Sequence, residues 1–112
     1  MARERNANLQ KAFSNAIVVR FSTPYESDWT HGYVLDVGPQ FFLFAPIDEQ
    51  MKFDGFECFL HSDIRRLKVP DPYEKFAVAA LRKRGQSIKR KPDIDLASLP
   101  AYFGQQSKSF RS

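Results

Sequence analysis

The chain has one cysteine, Cys58, one tryptophan, Trp29, two histidines and only five glycines. A lone thiol cannot form an intramolecular disulfide, which argues against the stapled scaffolds of small secreted proteins. Nor does it complete a four-ligand zinc site. Cys58 and His61 stand three apart, a spacing that sends two strand residues to opposite faces, and no second pair accompanies them. The simpler role for Cys58 is a small buried core residue. The glycines are scattered, so no phosphate-cradling loop exists, and neither a metal nor a cofactor is expected. No apolar run approaches the roughly 18 residues of a membrane-spanning helix. The opening stretch MARERNANLQKAF is polar and lacks the apolar segment of a signal peptide, so a cytoplasmic location without a membrane partner is expected.

Phenylalanine is abundant, eleven of 112 residues, and such rings need a core in which to bury a large apolar area. At 43% hydrophobic and 27% charged residues the composition is that of one ordinary globular domain. Charge is unevenly distributed. Residues 1–71 hold 8 basic and 10 acidic side chains, a balance of −2, whereas 72–112 hold 9 and 3, a balance of +6.

Residues 1–6 carry no pattern and read as frayed. Leu9, Ala12, Phe13 and Ala16 have helical spacing, which predicts a short N-terminal helix over 7–14. The period then changes to two. A first strand is expected over 16–22, ended by Thr23-Pro24. A second, over 30–37, points His31, Tyr33, Leu35 and Val37 one way and Gly32, Val34 and Asp36 the other. Gly38-Pro39 stops it. The third, over 40–47, is apolar on both parities and so requires cover on both faces. A fourth follows Asp54-Gly55, then a single helical turn at Ser62-Asp63-Ile64 and a short fifth strand over 65–69.

Pro70-Asp71-Pro72 leads into the best-defined helix. Asp71 is the expected cap and Gly85 the stop, and Tyr73, Phe76, Ala77, Ala80 and Leu81 form an apolar stripe. Phe42, Phe44 and Phe59 are the expected surface beneath it. Around Leu96, Leu99 and Phe103 a short docking turn is expected. Residues 1–104 thus read as a single small-barrel domain with flanking helices, and 105–112 as a disordered tail.

A short helix, five strands and a turn before the last strand resemble the order of Sm-like barrels, a subset of SH3-like folds. Gly32-Tyr33-Val34-Leu35 is similar to the Gly-x-x-Leu opening of their second strand. The resemblance implies a mainly β fold, a five-stranded SH3-like small barrel with a short N-terminal helix and a C-terminal helix packed on it. It also implies a tendency to bind RNA or to form rings. It does not extend to a uridine pocket, because Gly38, Pro39 and Gln40 replace the Asp and Asn after the second strand, and LHSDI has no Arg-Gly counterpart. PRC-type barrels, which dock proteins or RNA, are similar in strand pattern.

Two features are candidates for binding. Arg82, Lys83, Arg84, Lys89, Arg90 and Lys91 place six cations in ten residues, a density that neutralises several phosphates. Arg65, Arg66 and Lys68 extend this patch if the helix lies beside the fifth strand. The alternative is that Arg82–Arg84 complement the helix macrodipole and the remainder is a solvated linker. Tyr25, Trp29 and Tyr33 form an aromatic loop that either stacks on bases or a peptide, or closes one end of the barrel. His31, His61, Ser62 and Asp63 are the residue types of a hydrolase triad, but no nucleophile elbow surrounds Ser62, and turn formation explains Ser62 and Asp63 more simply. The expectation is a non-catalytic binding module with nucleic acid as first partner. A protein-interaction or homo-oligomeric module is the alternative, and a small hydrolase the third reading.

Overall fold

The computed structural model describes residues 2–25, 27–88, 91–98 and 109–110. Helix α1 spans Ala2–Asn15, followed by strands β1 (Val18–Ser22), β2 (Thr30–Val37), β3 (Phe41–Pro46) and β4 (Phe56–Leu60). A 3-10 turn, His61–Asp63, leads to β5 (Arg66–Lys68). Then come α2 (Glu74–Lys83), a second 3-10 turn (Leu96–Ser98) and the two-residue β6 (Ser109–Phe110). The strands form one antiparallel sheet in the order β5-β1-β2-β3-β4-β6. Among the described residues β4 and β5 share no ladder, so the sheet is open where a closed barrel was expected. Of the tail expected to be disordered, Ser109–Phe110 pairs with the outer edge of β4, and the rest lies outside the described residues.

The sheet is strongly curved. Phe21 on β1, Phe42 and Phe44 on β3 and Phe59 on β4 pack ring against ring, all six pairs having centroids 5.0–6.1 Å apart. In a flat sheet β1 and β4 would lie about 14 Å apart, three strand spacings. Phe21 and Phe59 instead meet at 5.0 Å, which requires the sheet to wrap around them. A bulge in β2 contributes to the bending: Val34 pairs with Phe44, but Asp36 pairs with Leu43, leaving Leu35 extra. The bulge also corrects the expected alternation. Val37 does not share a side with His31, Tyr33 and Leu35; it packs on the concave cluster, while Leu35 packs on the opposite face.

As the double parity of β3 requires, all six of its residues are buried. The cover differs from expectation. Phe42, Phe44 and Phe59 lie beneath Leu9 and Ala12 of α1, not beneath α2. Leu96 of the second 3-10 turn covers Phe41, Leu43, Ala45 and Cys58 from the other side, where an added Cβ on Gly38 would stand 2.5 Å from Leu96 Cβ. Helix α2 packs through Ala77 and Leu81 on Val18 and Ile47. Helix α1 is longer than its apolar pattern, extending back through residues 2–6, where exposed Glu4 and Asn6 need no apolar partner. There Arg5 Nη1 donates to the carbonyl of His61 at 3.4 Å.

Gly32 has no room for a side chain: an added Cβ would stand 2.1 Å from the carbonyl oxygen of Ala45 and 2.8 Å from the Phe44 ring. Gly85, just past α2, has φ 65° but nothing within 4 Å of an added Cβ. Gly32→Ala is therefore expected to lower unfolding free energy by about 2 kcal/mol or more, from backbone displacement against the aromatic core. Gly85→Ala should cost only about 1 kcal/mol, the strain of a left-handed alanine. Urea denaturation of both variants measures the difference, and equal effects would contradict the packing described.

Candidate docking groove

The start of α2 is fastened to the sheet by a connected set of hydrogen bonds. Asp71, almost wholly buried, donates its N–H to Val18 O at 2.8 Å. Its Oδ1 accepts the N–H of Tyr73 at 2.8 Å, and its Oδ2 lies 2.6 Å from His31 Nδ1. The expected cap is thereby corrected: α2 begins at Glu74 with Tyr73 as its N-cap residue and no side-chain capping bond, and Asp71 closes the turn ahead of it. An ionised carboxylate only accepts, so His31 Nδ1 carries the hydrogen and Nε2 is left as the other polar atom of the ring. Glu74 Oε2 in turn accepts the N–H of Val18 at 2.7 Å.

This fastening sets the rotation of the helix. Glu74, Ala77, Val78 and Leu81 fall at i, i+3, i+4 and i+7, one face of a helix, and it is this face that meets Val18 of β1, Tyr33 of β2 and Ile47 just past β3. The expected stripe is turned away by roughly a quarter turn at about 100° per residue. Its aromatic members are consequently displayed: Tyr73 is 65% and Phe76 63% exposed.

Beside them runs a groove of about 720 Å³. Its walls come from the β1–β2 loop (Asp28, Trp29), from His31, from the β3–β4 loop (Ile47, Asp48, Glu49, Met51) and from Asp71, Tyr73, Phe76 and Ala77. Four of these residues are acidic and none is Lys or Arg. The β3–β4 loop is held from within, since Asp48 Oδ1 accepts the N–H groups of Gln50 at 2.9 Å and Lys52 at 3.0 Å. Met51 there has φ 58°, a left-handed conformation uncommon for a side-chain-bearing residue. One side of Trp29 is occupied by the Arg20 guanidinium, 4.5 Å from the ring centroid. Across Phe76 and Met51 lies a second hollow of about 560 Å³, whose charged lining consists of Lys83 and Arg84.

The expected aromatic loop is not assembled as one platform. Trp29 lines the groove. Tyr25 lies outside its walls and donates its hydroxyl to Asp63; desolvation, that hydrogen bond and the Asp63 charge push its phenol up to about 12. Tyr33 packs against Phe53, with ring centroids 6.0 Å apart, and burial followed by the Glu74 charge raises its pKa.

Arg65, Arg66, Lys68, Arg82, Lys83, Arg84 and Lys91 are exposed, and Lys91 approaches Asp36 at 3.5 Å. Lys89 and Arg90 lie outside the described residues. Strand β5 runs into the start of α2, whereas Arg82–Arg84 stand at its end, about 15 Å away by helical rise. Arg66 and Lys68 occupy an outer strand, where cations discourage pairing with another sheet.

His61, Ser62 and Asp63 are consecutive in the 3-10 turn and His31 lies apart, but the bonds they form go to other groups. His31 bonds Asp71, His61 Nε2 bonds the carbonyl of Gly38 at 2.9 Å, Asp63 bonds Tyr25, and Ser62 is exposed. Cys58 is fully buried.

Sequence reasoning assigned Tyr73 and Phe76 to the core and left Asp28, Asp48 and Glu49 unremarked. Glu74, spaced i, i+3, i+4 and i+7 with Ala77, Val78 and Leu81, was the available signal for the other rotation. Comparison with protein-family models, with curated proteins and with solved structures returns no match.

Burial pushes the Cys58 thiol from 9.0 up to about 11. Above pH 9 the unfolded chain releases this proton while the folded chain retains it, so stability should fall as pH rises from 9 to 11. The Cys58 share is on the order of 2 to 3 kcal/mol. Denaturant midpoints across that range should show the decline, and Cys58→Ala should make it shallower, leaving the share of Tyr25 and Tyr33, which are also raised. An unchanged slope in the variant would place the loss elsewhere.

Proposed function

We propose that this chain is a non-catalytic binding module built on a small SH3-like barrel, and that it docks a protein on the face formed by the groove and the exposed side of α2. Three features support the barrel reading: the strand order β5-β1-β2-β3-β4, the curvature that brings Phe21 to Phe59, and the 3-10 turn leading into β5. They are in keeping with the Sm-like and PRC-type resemblance. Under this reading the turn and Ile64, packed in the concave cluster, close the gap between β4 and β5. No helix among the described residues is long and apolar enough to cross a membrane. The cytoplasm is the proposed location.

The observation that carries the docking reading is the display of Tyr73 and Phe76 beside Trp29 and Met51. A contiguous apolar patch rimmed by charge is the usual form of an interaction surface. A photo-cross-linking phenylalanine analogue placed at position 73, in the otherwise unaltered chain in cells, should yield a protein adduct. The same analogue at exposed Gln10 on α1 should not. Tyr73→Ser with Phe76→Ser should leave the melting temperature close to that of the parent chain, since neither side chain is in the core. A marked fall in melting temperature, together with the absence of an adduct at position 73, would contradict a docking role.

Nucleic-acid contact through the basic segment is a second reading. It is favoured by the exposure of Arg82, Lys83 and Arg84, none of which has a carboxylate within ion-pair distance among the described residues. Titration of labelled RNA or DNA at two salt concentrations should then show affinity falling steeply with salt. Replacing the three cations by Ser should weaken binding and reduce that salt dependence. Binding that does not respond to salt would count against it.

A further inference from the structure

The two hollows flanking Phe76 differ in the sign of their charge. On one side the charged lining is acidic, with Asp28 and Glu49 exposed at the rim; on the other it is Lys83 and Arg84. Phe76 and Met51 belong to both linings and form the apolar ridge between them.

Such a face is complementary to itself. Rotation by half a turn about an axis that runs along the ridge in the plane of the face lays ridge on ridge and sets the carboxylates of each copy opposite the cations of the other. A two-fold interface has this property by construction, because each contact occurs twice with its partners exchanged. Other occupants satisfy only half of the surface. A basic peptide fits the acidic hollow but meets Lys83 and Arg84 beyond the ridge, and a polyanion fits the basic hollow but meets the carboxylates. Like-charge juxtaposition of this kind disfavours wrong partners. We infer that the partner at this face is a second copy of the same chain, in a closed two-fold dimer with Phe76 at its centre and acidic and basic rims interleaved. The inference rests on the docking reading above and names its partner.

The solution mass of the full chain, followed by light scattering and sedimentation across a dilution series, tests it. The expected mass is twice the 13.0 kDa of the chain, with dissociation on dilution and at high salt. Asp28→Lys with Glu49→Lys, and separately Lys83→Glu with Arg84→Glu, should each weaken the dimer at least about tenfold. Mixing these two variants should restore a heterodimer, and combining all four substitutions in one chain should restore a homodimer. Phe76→Ser should abolish dimerisation without loss of far-ultraviolet ellipticity. A mass that stays at 13.0 kDa throughout, assemblies that keep growing beyond the dimer, or no recovery on mixing overturns the inference. A monomeric chain that still cross-links to a different protein at position 73 overturns the dimer and retains the docking reading. A monomeric chain with no cross-link removes both.

Discussion

The mutual packing of four phenylalanines is the constraint on which the rest of this structure depends. Phe42 and Phe44 neighbour Phe59 on adjacent strands, but a flat sheet would hold Phe21 of β1 too far away for its ring to meet theirs. Burying them against one another forces the sheet to curl. Edge-to-face pairs add to the apolar area already removed from water. Once the sheet curls, its concave side needs a lid narrow enough to enter, which α1 supplies through Leu9 and Ala12. Gly32 belongs to the same constraint, since the Phe44 ring and the Ala45 carbonyl occupy the space of its missing side chain.

The convex side is covered in two pieces, and the division shapes the candidate site. Leu96 seals one part, close against Gly38. Helix α2 seals the other in an orientation fixed by polar groups, not by its own apolar stripe. Asp71 holds the N–H of Tyr73 just ahead of the helix together with His31, and Glu74 accepts the N–H of buried Val18. A buried backbone donor left without a partner is costly, so the rotation that serves Val18 prevails over the rotation that would bury Tyr73 and Phe76. Two aromatic rings on display are the result, next to loops whose charged side chains in the groove are all acidic.

Charge is arranged differently along the chain and over the surface. Along the chain the cations crowd the C-terminal third. On the surface, Arg66 and Lys68 guard an outer strand and Lys83 and Arg84 line one side of Phe76. Asp28, Asp48 and Glu49, from two separate loops, gather on the other side. The face that matters electrostatically is therefore one that no single run of residues announces.

The sequence by itself determined strands β1 to β5, their approximate ends and the two-sided burial of β3, because period-two alternation and Gly or Pro breaks are local properties. It also determined the buried position of Cys58, through the alternation of its own strand. Only the tertiary structure decided which helix covers which face, where the bulge at Leu35 reverses the alternation, and that Tyr73 and Phe76 remain outside. The physical reason is common to all three. Each depends on a partner in another element: β3 for the bulge, α1 for the concave cluster, and the N–H of Val18 for the rotation of α2. A pattern read along the chain carries the side on which a residue is apolar, but not the group that it will meet.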